Sequence, residues 1–109
     1  MNLDDIKIGN YIKISYVDDV YDDILIYAIV SGIKLTSWSE GKKLFKSYNL
    51  KFSTKIVYVN NRLYEIKFNE NMIFKSYFTG EVDYMTKMEI TKVNKLLDIL
   101  IDSLGKEKD

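Results

Sequence analysis

The sequence predicts an α+β domain: a curved, mainly antiparallel β-sheet or small partly open barrel of about five to seven strands, closed by one C-terminal α-helix. Three observations predict it. Residues 1–84 either alternate apolar and polar or run apolar through branched residues, as strands do. Asn60-Asn61 separates two such runs as a hairpin turn would. From Thr86 onward the apolar period lengthens from two residues to three and four, the spacing of one helical face.

Tyr11 to Val17 sets Ile12, Ile14 and Tyr16 against Lys13 and Ser15, the pattern of a half-buried strand launched after Gly9-Asn10. Asp18 to Asp23 follows as an acidic loop. Ile24 to Val30 is the longest unbroken apolar run and reads as a central strand. Ser31-Gly32 breaks or bulges it, and Ile33 to Trp38 continues extended. Ser39 to Lys42 is a polar turn, and Lys43 to Ser53 a further strand. Asparagine tolerates the positive φ of a two-residue type I′ turn, so Lys55 to Val59 and Arg62 to Phe68 form a hairpin around Asn60-Asn61. That register pairs Val59 with Arg62 and Val57 with Tyr64. It places Val57, Val59, Tyr64, Ile66 and Phe68 on one core face. Asn69 to Asn71 then turns the chain into Met72 to Phe78, completing a three-stranded meander that ends at Thr79-Gly80-Glu81.

The helix runs from about Lys87 to Leu104, roughly 27 Å at 1.5 Å per residue. Ile90, Val93, Leu96, Leu97, Leu100, Ile101 and Leu104 form its apolar stripe. Thr86 and Glu89 fit a capping box, and Met85 with Ile90 a hydrophobic staple. Gly105 stands where a C′ glycine belongs, and Lys106 and Lys108 complement the negative end of the dipole.

With 109 residues, 47% of them hydrophobic, residues 1–109 form one domain with one core. The chain has no cysteine, histidine or proline. Disulfides, thiol nucleophiles and histidine relays are therefore excluded from its own side chains. Zinc, haem and iron–sulfur sites lose their usual ligands, and no cofactor is expected. No apolar run approaches the ~20 residues of a membrane-spanning helix. The start, Met1-Asn2-Leu3-Asp4-Asp5, carries acid where a secretory signal carries base, so a soluble, cytoplasmic protein is expected. Fifteen lysines to one arginine, with fourteen isoleucines and eight asparagines, is the bias that AT-rich codons produce. Low-GC bacteria, their phages and plasmids, and archaeal viruses share it.

No enzyme signature survives inspection. Asp18, Asp19, Asp22 and Asp23 offer oxygen ligands to a hard cation, but without EF-hand spacing or a glycine for its sharp turn. Glu65-Ile66-Lys67 has the form of the acid-x-lysine half of a two-metal nuclease. Its other half is missing, because no acid lies between Gly41 and Tyr64 and the nearest upstream one is Glu40 in a turn. The five glycines are isolated, which precludes a phosphate-cradling loop.

The formal net charge is zero, but charge is segregated. Residues 1–40 carry a net −4, residues 41–79 a net +6 and residues 80–109 a net −2. Two readings follow. The first is a non-enzymatic protein-binding module, an accessory protein or inhibitor of the phage or plasmid type that occludes a surface of a host or viral protein, including host defence proteins. Its acidic loop, Asp18, Asp19, Tyr21, Asp22 and Asp23, would steer it to a basic groove while an exposed tyrosine or apolar patch supplies affinity. The alternative is a small nucleic-acid-binding barrel using the basic, aromatic-rich stretch 42–78, with Lys42, Lys43, Lys46, Lys51, Lys55 and Arg62 tracking phosphates. Nine aromatic residues of that stretch, Phe45 to Phe78, would then stack on bases or fill the core. Ile6 to Ile14 resembles the opening strand of small SH3-like and OB-like barrels. The first reading is preferred, with a monomer or homodimer equally compatible.

Overall fold

A computed structural model describes residues 2–75 and 78–107. After a short 3-10 turn (Leu3–Asp5) come β1 (Tyr11–Val17), β2 (Asp23–Glu40), β3 (Lys43–Val59), β4 (Arg62–Lys75), β5 (Glu81–Tyr84) and α1 (Lys87–Glu107). The five strands form one sheet in the order β4-β3-β2-β1-β5, with every neighbouring pair antiparallel. The α+β architecture follows as the residue patterns predict. Tyr77 and Lys108, to which stacking and dipole roles were assigned, lie outside the described residues, as do the side chains of Leu104 and Lys106.

The sheet has an apolar core on each face. Inside the curve, Ile12, Ile14, Ile24, Ile26, Val30, Leu50, Phe52 and Phe74 pack together, with Ile6 and Leu3 of the N-terminal segment laid over them. Phe74 of the edge strand meets Phe78 at 5.0 Å between ring centroids, and Phe78 meets Tyr16 of β1 at 6.1 Å. The sheet curls round these rings. The β4–β5 connection crosses here, and a Cβ on Gly80 would stand 2.6 Å from the Ser15 carbonyl oxygen, so only glycine lets it pass.

On the outer face, α1 lays Val93 on Tyr27, Ile56 and Met85, flanked by Ile90, Leu96 and Leu97. The capping box is present in both directions: Glu89 Oε1 accepts from the Thr86 N–H at 2.8 Å and Thr86 Oγ1 from the Glu89 N–H at 3.3 Å. Met85 and Ile90 share one cluster, as a staple requires. Glu89 does more than cap. Its carboxylate also accepts from Lys13 Nζ at 3.1 Å and Tyr27 OH at 3.0 Å, and these two are cross-strand partners on β1 and β2. Burial alone would raise the Glu89 pKa; the bonds from Thr86, Lys13 and Tyr27 outweigh it and hold the group at about 2. Burial and that same carboxylate push Tyr27 up to about 12.

Four expectations are corrected. The helix continues through Gly105 to Glu107, so Gly105 is not a C′ cap; an interior glycine costs only about 1 kcal/mol. Ile101, assigned to the buried stripe, is 64% exposed. The Asn60-Asn61 turn has the positive φ values expected (49° and 67°), and Val59 pairs with Arg62. Val57, however, faces Glu65, because a bulge leaves Tyr64 as an extra residue. Tyr64 consequently points to solvent, Ile66 turns to the helix side and Phe68 is half exposed.

The fourth correction concerns Ser53, read as the end of a strand, and Asn69–Asn71, read as a turn into the third strand of a meander. Both β3 and β4 run straight through. Ser31, Ser53 and Asn69 are each skipped by the pairing, one per strand, in a line across β2, β3 and β4. Asn69 does this at φ 56°. Each extra residue inverts the alternation. Phe52 thus faces inward and Ile56 outward though four residues apart, and Phe74 and Ile66 differ likewise. This crease lets the far half of the sheet keep apolar residues on the inner side. Beyond Ser47 no third strand among the described residues accompanies the β2–β3 hairpin, so residues 37–46 project as a two-stranded ribbon. The molecule measures 60 × 30 × 25 Å. Among the described residues no helix is long and apolar enough to cross a membrane.

Candidate protein-binding loop

The β1–β2 connection is built around Asp18. Its Oδ1 accepts from the Val20 N–H at 3.0 Å and the Asp22 N–H at 2.9 Å, and its carbonyl accepts from the Tyr21 N–H at 3.1 Å. Aspartate favours such side-chain-to-backbone turns. A second clamp comes from the neighbouring hairpin. Asn60 Nδ2 donates to Asp22 Oδ1 at 2.9 Å, while Asn60 Oδ1 accepts from the Asp23 N–H at 2.9 Å. Five residues of loop are thereby held at both ends.

At its apex Tyr21 has φ 63° and is 87% exposed. The left-handed region costs a residue with a Cβ on the order of 1–2 kcal/mol, and hairpin loops commonly fill it with glycine. Val20, 72% exposed, and Val17 stand beside it. The tip is thus an aromatic and two aliphatic side chains in water, ringed by carboxylates.

All five residues singled out in the sequence come together here, but not in one role. Asp18 and Asp22 are spent on the loop's own hydrogen bonds, whereas Asp19, Tyr21 and Asp23 face solvent. Two hollows flank the tip. One of about 350 Å³ includes Tyr16, Asp18, Asp22, Lys55 and Glu65 in its lining; the other, about 610 Å³, includes Val17, Asp23 and Glu81. Burial and then the Asp18 charge push the Tyr16 phenol up.

The six residues of the alternative basic track do not share one surface. Lys42 lies in the ribbon turn; Lys46 faces inward, 3.9 Å from Asp4. Lys43 and Lys51 share the outer face of the β2–β3 hairpin beyond the crease, Lys55 stands opposite Lys67, and Arg62 sits beside the Asn60-Asn61 turn near the acidic loop. Phe52 and Phe74 are fully buried in the inner core, and Tyr58 and Phe78 are packed against the two cores. In the Glu65-Ile66-Lys67 triplet, Lys67 lies 3.7 Å from both Glu65 and Glu70. Among the described residues no group of three metal-type side chains is placed to hold an ion.

The sequence reading missed two features. Val17 and Val20 belong to the exposed tip; their signal was an apolar residue set among acids. Trp38 and Phe45 stack on the ribbon with centroids 5.7 Å apart and planes 19° apart, outside both cores. Their signal was the one tryptophan, set in the polar run Thr36-Ser37-Trp38-Ser39. No family model, curated protein or solved structure matches the chain.

Proposed function

We propose that the chain is a non-enzymatic protein-binding module, an accessory protein or inhibitor of the phage or plasmid type. It works in the cytoplasm by laying the Tyr21 loop on a basic groove of a host or viral protein and occluding it. The observation that carries this reading is Tyr21: an exposed aromatic held in a strained backbone conformation by a loop hydrogen-bonded at both ends. Strain that the surroundings over-determine concentrates at functional sites. An aromatic anchor that loses little freedom on docking is what an interface hot spot requires. Asp19 and Asp23 add a field that steers approach to a basic surface.

The test is a photo-reactive phenylalanine at position 21, used in a nuclease-treated lysate of the native host. It should cross-link one protein that the wild-type chain competes away, while the same probe at position 101 should not. Tyr21→Gly should weaken that complex at least tenfold. Capture that depends on nucleic acid, or affinity that Tyr21→Gly leaves unchanged, would refute the proposal.

A further inference from the structure

We infer that the outer face of the β2–β3 hairpin beyond the crease, ribbon included, is a binding surface for single-stranded nucleic acid, separate from the Tyr21 loop and at the other end of the sheet. The crease sets which side chains share this face. Lys43 stands near the tip, the Trp38–Phe45 pair one step further in, then Thr36 with Ser47, Lys34 with Asn49, and Lys51 beside Gly32. Each step is two residues of strand, about 7 Å. An extended single strand repeats its phosphates on a similar scale.

Three observations point to this ligand. Lys34, Lys43 and Lys51 are exposed, and none lies within ion-pair distance of a carboxylate among the described residues; Glu40, opposite Lys43, sits at the tip. Trp38, 38% exposed, belongs to neither core, so its ring is available for stacking. Asn49, on the same face beside Lys34, has a side-chain oxygen without a hydrogen-bond partner among the described residues, an acceptor that a nucleobase N–H satisfies once the amide turns outward. Cations on either side of an aromatic pair are how proteins hold unpaired strands without reading sequence. An acidic peptide would use the lysines and leave Trp38 without a flat partner. A duplex hides the base faces.

The chain's one tryptophan reports on the site directly. Titrating the full chain with an oligothymidylate of about 20 nucleotides should quench Trp38 fluorescence. With three phosphates neutralised, affinity should fall about 20-fold between about 50 and 200 mM salt. Trp38→Ala, followed by anisotropy of a labelled oligonucleotide, should cost at least about fivefold. Lys34→Glu with Lys43→Glu should cost more than tenfold and flatten the salt dependence. Arg62→Glu with Lys95→Glu, equal in charge but remote, should do neither. The inference is overturned by absence of quenching at the lower salt, by equal quenching with poly-glutamate or a duplex of the same length, or by equal losses from the two charge-reversal pairs.

Discussion

Tyr21 puts stability and proposed function in opposition. Replacing it with glycine removes the left-handed penalty of about 1–2 kcal/mol but adds the chain entropy of glycine, about 0.5–1 kcal/mol. The melting temperature of Tyr21→Gly should therefore stay level or rise slightly even as partner affinity falls; a loss of several degrees would show that the ring is structural. Glu89 opposes nothing. Its folded pKa of about 2 lies below the ordinary 4.5, so its stabilisation is complete above about pH 4.5 and is lost as pH falls toward 2. Acid unfolding followed by circular dichroism should show this limb, and Glu89→Gln, which can still cap α1, should remove much of it. The carboxylates of the loop make a third case. Asp18 and Asp22 already accept N–H donors, so a cation would have to displace those bonds. EDTA, Mg²⁺ and Ca²⁺ should leave the melting temperature nearly unchanged, and a shift of several degrees at low millimolar ion would contradict that. The acidic cluster was legible from composition alone. Which carboxylates are consumed was not, because that depends on where backbone N–H groups point once the turn has formed.

At the level of elements, α1 is anchored by its first half. Val93 is buried, Leu96 and Leu97 are half-buried against the outer core, and Leu100 lies outside that cluster. Val93→Ala should cost about 1–3 kcal/mol, and Leu100→Ala under about 1 kcal/mol, by urea unfolding. Leu97 and Leu100 are only half-buried, so neither reaches the ~2–5 kcal/mol that a fully buried leucine costs on truncation. Deleting residues 87–109 should still expose Tyr27 and Ile56 and leave an aggregating chain; a monomer melting at the unchanged temperature would refute the role of α1. The helix was readable because its caps and its period agree. The strands were readable as strands, but their ends were not. Ser53 and Asn69–Asn71 interrupt the alternation, and an interruption looks the same whether the chain turns back or merely inverts its faces. Tertiary packing decides, and here Phe74 and Leu50 had an inner core to reach.

Across the whole molecule, the acidic loop and the basic ribbon are held at opposite ends of a 60 Å body, beyond the Debye length of about 8 Å at physiological salt. Neither end therefore cancels the other's field, which a net charge of zero conceals. Asp19→Asn with Asp23→Asn should slow association with the loop's partner about two- to tenfold at low ionic strength and much less at high, read by stopped flow. Unchanged rates at low salt would remove charge from the recognition. The crease has a different kind of consequence, one of counting. Ser31, Ser53 and Asn69 set the phase of every side chain beyond them, so what matters is their number more than their identity. Ser53→Ala should be nearly silent, whereas deleting Ser53 alone puts β3 out of step with both neighbours. Deleting all three residues together restores continuous pairing and keeps Leu50 and Phe74 inward, because Thr54 and Phe52 then alternate directly, as do Phe68 and Glu70. These strands are thus tolerant of substitution and of a matched triple deletion but intolerant of a single one, a constraint on the relative lengths of neighbouring strands that no change of letters can relieve.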